Sequence, residues 1–239
     1  MKTYSSKYFK KIKTGGKMKR VHFLLFAVCY VLLTVFLWSC GSGPGSPGSS
    51  GSEDTGVIMD AVITPQYNGS NLYSVDAFRG QCCSGAEIPF DATCSSGTPT
   101  VEVFTDHGAS VTITARLVNP TTTFQIGNLY IDKYTIEYRR STDSIGAPPI
   151  QSDTRFQTIS IPAPTGSGTT TVTATLVFLD LTRKEQYAGD MTSGIYSSSS
   201  SYINNYTAVY TFYGKNDYGK EFKIKSEVNF QIGDFDNCG

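Results

Sequence analysis

From Glu221 to Ile232 the chain alternates apolar and polar side chains. Phe222, Ile224, Val228, Phe230 and Ile232 fall on one side, and Glu221, Lys223, Lys225, Glu227, Asn229 and Gln231 on the other. A period of two sends successive side chains to opposite faces of a sheet, so the run predicts a half-buried strand. Ser226 is the polar member of the inner set and is expected at a bulge or rim. The run from Tyr206 to Tyr213 has the same character. Between the two lies Gly214 to Gly219, a turn composition, so together they predict a β-hairpin.

Three more runs have clean inner sets: Val111, Ile113, Ala115 and Leu117; Tyr134, Ile136 and Tyr138, with Glu137 and Arg139 outward; and Val172, Ala174, Leu176 and Phe178. Shorter strands are expected over 57–63, 71–77, 100–104 and 155–161. The polar stretch from Leu181 to Met191 is expected to hold one helical turn, and 192–203, with five serines in a row, a mobile loop. About 7–9 antiparallel strands broken by frequent turn signals predict an all-β fold, a β-sandwich, with a closed barrel as the runner-up. The single tryptophan, Trp38, lies far upstream of these runs, so the Cys–Trp–Cys core of antibody domains is missing. An immunoglobulin-like sandwich here would be of the fibronectin type III-like kind.

The first 40 residues follow a different pattern. Eight cations and no acid precede the apolar stretch VHFLLFAVCYVLLTVFL, which closes on Trp38-Ser39-Cys40-Gly41. A charged n-region, an apolar h-region and a small-residue cleavage point make an export signal. The end resembles a bacterial lipobox. That resemblance implies a signal peptide over 1–39 and a lipid on Cys40. It also implies outer-membrane delivery, since Gly41 rather than Asp stands in the second position. The competing reading is an uncleaved membrane helix, because 21–38 approaches the roughly 17–25 residues a span needs. Met18 is a second candidate start.

Residues 40–56, rich in Gly, Ser and Pro, read as a linker with a root-mean-square reach of about 20–25 Å. Residues 57–239 then suffice for a single domain, with a Cys-containing loop at 76–98. The chain as a whole has 20 basic and 20 acidic residues. Eight of the basic ones leave with the signal, so the mature chain carries 12 against 20, about −8. That balance argues against a nucleic-acid partner and against polybasic membrane docking.

Four cysteines follow Cys40: Cys82, Cys83, Cys94 and Cys238. An even count in an exported domain reads as a disulfide framework. A vicinal Cys82–Cys83 bond is strained. The favoured arrangement joins one of the pair to Cys94 and the other to Cys238, with a metal or redox site as the alternative.

From Val111 to Phe235 the chain resembles a group of uncharacterised bacterial lipoproteins. The matching pieces are Asn119-Pro120, the YxIEYxR pattern at Tyr134 to Arg139, the TFYGxDxxGxE-like hairpin at Thr211 to Glu221, and Gly233-Asp234-Phe235. The resemblance implies a surface or periplasmic lipoprotein with an Ig-like sandwich, and it carries no activity and no site residues.

Nucleophilic catalysis needs a nucleophile, a base and an orienting group. Asp106-His107 offers a base, but no GxSxG elbow accompanies it, and an exposed turn at Asp106-His107-Gly108 is the expected reading. The oxygen donors at 233–237 and 216–217 match no calcium loop and read as turn residues. No catalytic residue, metal or cofactor is expected. Exposed tyrosines (Tyr196, Tyr202 and Tyr218) with the loops 140–154 and 190–205 make a possible ligand face. The sequence therefore predicts a lipid-anchored cell-envelope module that is noncatalytic, attached to the membrane through Cys40 and bound to an envelope protein. A glycan- or small-ligand-binding module is the alternative.

Overall fold

The computed structural model describes residues 51–83, 86–89, 93–95, 97–101, 103–121, 125–196 and 203–235. All of them belong to the second of the two compact units into which the chain divides, Gly43–Gly239. The first strands are β1 (Val57–Tyr67), β2 (Ser70–Asn71), β3 (Ser74–Asp76), β4 (Gly80–Cys83), β5 (Ala86–Pro89) and β6 (Thr100–Val101). β7 (His107–Leu117), β8 (Leu129–Arg140), β9 (Asp153–Ile161) and β10 (Thr169–Leu179) follow. Helix α1 (Leu181–Thr192) then leads to β11 (Asn204–Asn216) and β12 (Glu221–Gly233). The fold is mostly β. Twelve strands among the described residues exceed the expected 7–9, because five of them hold four residues or fewer and are too short to show a period.

Four strands pair in the order β10-β7-β1-β2, five in the order β3-β12-β11-β8-β9, and a small sheet in the order β5-β4-β6. All pairs are antiparallel except β12 with β3, which is parallel. The inner residues of the two larger sheets form one apolar cluster, with Val111, Ile113 and Ala115 from β7 and Ile136, Phe212 and Ile224 from the other sheet all buried.

β12 alternates as its sequence predicts, and Ser226 is buried within an unbroken register opposite Tyr210 rather than at a bulge. The hairpin turn is tighter than expected. Gly214, Lys215 and Asn216 continue the strand, and the reversal begins at Asp217. Asn216 closes it by accepting from the Tyr218 and Lys220 amides through Oδ1, and Gly219 takes the left-handed conformation at φ +77°. The expected strand 100–104 shrinks to Thr100–Val101, and 71–77 divides between β2 and β3. The folded part also starts before residue 57. Ser52 is fully buried, and its Oγ accepts from the Met59 amide at 2.9 Å.

Four tyrosines fill the core and spend their hydroxyls on backbone. Tyr138 donates to the Phe178 carbonyl, Tyr210 to that of Val177 at 2.9 Å, and Tyr206 to that of Pro148 at 2.5 Å, while Tyr134 accepts from the Val177 amide at 3.2 Å. Three of these bonds go to the backbone of β10 at 177–178, satisfying groups that an edge strand otherwise leaves open.

Helix α1 runs for 12 residues where the sequence predicts one turn. Its buried stripe is Lys184, Tyr187 and Met191, so a lysine hides the apolar period. Asp180 is the N-cap and accepts from the Arg183 amide at 2.9 Å. Its second oxygen meets Arg155 at 2.6 Å and Arg183 at 2.5 Å, and Asp153 pairs with the same two arginines at 2.5 and 3.3 Å. This network pins α1 to the start of β9. Asp180→Ala removes the cap and two ion pairs and is expected to cost about 2 kcal/mol. Asp180→Asn, which keeps the cap, should cost visibly less, both read as shifts in the urea midpoint.

Candidate functional site

The outward face of the five-stranded sheet carries an ordered row of side chains. In register across the strands, Phe156 of β9 lies opposite Lys133 of β8, Lys133 opposite Tyr213 of β11, and Tyr213 opposite Lys223 of β12. The row exists because of a bulge. β8 slips its register between Ile131 and Lys133 against both neighbours. Leu129 and Ile131 face inward before the slip, and Tyr134, Ile136 and Tyr138 after it. The extra residue re-aims the strand and turns Lys133 outward beside Tyr213. The Lys133 ammonium lies 4.9 Å from the centre of the Tyr213 ring and that of Lys223 5.2 Å, both within cation–π range. No carboxylate pairs with Lys133 or Lys223 among the described residues. Phe156 is 82% exposed.

Beside the row is a shallow cleft of about 280 Å³ that adds Asp132, Lys215 and Glu221 to the lining. Asp132 reaches Lys215 at 3.9 Å. Two other clefts are larger, at about 450 and 470 Å³, but their polar groups hold the fold together. In the first, Asn205 donates to Asp143 at 2.8 Å and accepts from Gln231 at 3.2 Å. In the second, Asp217 accepts from the Asn128 amide at 2.8 Å, and Asn128 from the Ala163 amide at 3.1 Å.

Of the tyrosines expected to form a ligand face, the two described ones, Tyr196 and Tyr218, lie toward opposite ends of β11. Tyr218 sits in the β11–β12 turn, 68% exposed, with its hydroxyl donating to the Gln125 carbonyl at 3.2 Å. Tyr196 follows α1, which packs at the opposite end of β11 through a 2.7 Å bond from Asn204 to Tyr187. Tyr202 lies outside the described residues, as does half of the expected loop 192–203. Cys83 and Cys94 are disulfide-bonded with Cα atoms 5.7 Å apart, and they tie β4 to the segment before β6. Cys82 is disulfide-bonded as well. Its expected partner Cys238 falls outside the described residues, as do Cys40 and the whole signal pattern. No helix among the described residues is long and apolar enough to cross a membrane. Nor do three acidic, His or Cys side chains gather among them as a metal site would require.

His107 is not on an exposed turn. It opens β7 with 1% of its surface exposed, stacked on Tyr67 with ring centres 5.4 Å apart. Its Nε2 donates to the Leu72 carbonyl at 2.9 Å, which fixes the neutral ring's proton on that nitrogen. Asp106 turns away and caps α1 by accepting from the Leu181 amide at 2.7 Å. Above the same tyrosine lies Lys184, also 1% exposed, its ammonium 5.2 Å from the Tyr67 ring and 5.0 Å from Phe104. Burial pulls the His107 pKa down to about 4. The bond to Leu72 opposes that shift, and Lys184 adds to it. This is a structural clamp between β1, β7 and α1.

No family model matches the chain, and no curated protein does. Among solved structures, the chain is similar to the X-ray structure of a Northeast Structural Genomics Consortium target. Identity is 9%, the match covers 75% of this chain and 87% of that one, and the TM-score is 0.25.

Proposed function

We propose that the protein is a lipid-anchored cell-envelope β-sandwich of the immunoglobulin/fibronectin type. It acts as a noncatalytic interaction module, and the outward face of its five-stranded sheet is the surface offered to a partner. One observation carries this reading: Phe156, Lys133, Tyr213 and Lys223 stand in a single ladder row on that face, Phe156 exposed and the other three half-buried, with neither lysine paired to an acid among the described residues. Surfaces that bind partners place aromatic groups and cations where they are already ordered, since less entropy is then lost on association. The two larger sheets share one apolar cluster, which favours a sandwich over a closed barrel. The anchor rests on the lipobox-like pattern at Leu37 to Gly41, and the linker beyond it would hold the domain off the membrane.

The test uses the full chain in its native membrane, with a photo-crosslinking residue at 156 and, as control, at 62. Val62 is 62% exposed on the four-stranded sheet. Crosslinked adducts are expected from 156 and not from 62. Intact mass spectrometry of the same preparation should show a chain beginning at lipidated Cys40. Equal labelling at the two positions would remove the sheet face from the reading, and a chain retaining residues 21–39 would remove the anchor.

A further inference from the structure

We propose that the row from Phe156 to Lys223 binds an acidic oligosaccharide, a run of sugar rings that carry carboxylates in the manner of uronates. The proposal rests on the reading of that face as the interaction surface and names its ligand.

Three features of the row fit such a chain together. The first is the apolar platform. A single exposed phenylalanine is ordinary on a protein surface and carries nothing alone. Phe156, however, lies beside Lys133, at the end of a row that continues through Tyr213 to Lys223, and the C–H face of a sugar ring packs on such an aromatic as an aliphatic group would. The second is the cation pair. Lys133 and Lys223 rest against the Tyr213 ring from the strands on either side, so their ammonium groups are held apart in known positions. A free lysine loses much rotamer entropy when it grips an anion, and these two have lost part of it already. The third is span. From β9 to β12 is three inter-strand steps, about 14 Å, roughly the length of three sugar rings in an extended chain.

The acids in the adjoining cleft decide among anionic ligands. Asp132 and Glu221 line it together with Lys133 and Lys215. A phosphodiester backbone or a dense surface of anionic lipid phosphates would bring hydrogen-bond acceptors against those carboxylates, which can only accept. A uronate chain places hydroxyl groups between its charges. Its carboxylates meet Lys133 and Lys223, while its hydroxyls donate to Asp132 and Glu221. A neutral glycan would leave the cation pair unused.

The experiment uses the full chain in detergent and measures binding to a galacturonate oligomer by titration calorimetry. Maltohexaose and phosphatidylglycerol vesicles serve as comparison ligands. Phe156→Ala and the double variant K133Q/K223Q change exposed or half-exposed groups, and their melting temperatures report that the fold is kept. Each is expected to weaken galacturonate binding by about tenfold. Raising salt from about 50 to about 300 mM should weaken the wild type more than K133Q/K223Q, since screening acts on the charges removed. Maltohexaose should bind at least about tenfold more weakly. Absent galacturonate binding, equal affinity for maltohexaose, or unchanged affinity in both variants would overturn the proposal. So would preference for the vesicles, which would assign the face to the membrane. Crosslinks from position 156 to a protein, with no galacturonate binding, would overturn the glycan and leave the interaction reading standing; loss of both would remove both.

Discussion

Gly214→Ala is expected to lower the stability of the folded domain by about 3 kcal/mol, with a drop in melting temperature of about 10 °C. The cause is a close approach, not a special backbone angle. A Cβ at this position would lie 2.5 Å from Cζ of Phe222 and 3.0 Å from Cα of Ile131, and closer still to the Tyr130 carbonyl oxygen. Phe222 is a flexible side chain and gives way at some cost. The other two atoms are backbone of the neighbouring strand at the point where β8 bulges, so relief requires β8 and β11 to part. Separating them breaks ladder hydrogen bonds next to Tyr213 and Lys133. The variant should therefore lose binding at the outer face along with stability. Gly166→Ala is the comparison. That glycine has φ +56°, and a Cβ added there would meet nothing within 4 Å, so its cost comes from conformation alone and should stay near about 1 kcal/mol. Equal losses in the two variants, measured by urea unfolding, would show that the bulge relaxes freely.

The same bulge marks where the sequence stops being readable. Period-two alternation locates β7, β11 and β12, because each keeps one parity along its buried face. β8 changes parity at Asp132, so its inner set is legible only from Tyr134 onward, and Leu129 and Ile131 fall on what a uniform strand would make its outer face. The site inherits that difficulty. Phe156, Lys133, Tyr213 and Lys223 come from four strands, and only the inter-strand register makes them neighbours. Alternation within a strand tells which way each residue points, but not which residues of other strands stand beside it. The buried clamp is hidden by residue type. A histidine after an aspartate and before a glycine reads as a turn, and a lysine in a polar run reads as surface. His107 packs on Tyr67, and Lys184 on Tyr67 and Phe104, partners far from each of them in the sequence.

That clamp sets the second large expectation: acid should destabilise the protein through His107. Its pKa is 6.5 when unfolded and about 4 when folded, with burial as the leading cause. Between those values the unfolded chain holds a proton that the folded chain does not, so stability rises with pH across the window and is lost as pH falls through it. From pH 7 down to pH 4 the loss assigned to this one group is about 3 kcal/mol. Protonation would place a second positive charge in the aromatic enclosure that already holds Lys184, while leaving the bond to Leu72 intact, because Nε2 already carries its proton. His107→Gln keeps an N–H donor and cannot titrate. It should start less stable at pH 7, having lost the stacking on Tyr67, yet lose about 3 kcal/mol less than the wild type on acidification. Lys184→Met should trim the acid loss by a smaller amount, since Lys184 contributes less to the shift than burial does. Urea midpoints at pH 7, 5.5 and 4 for the three proteins measure this directly. Parallel declines in the wild type and His107→Gln would mean that carboxylates elsewhere, and not the clamp, govern acid stability.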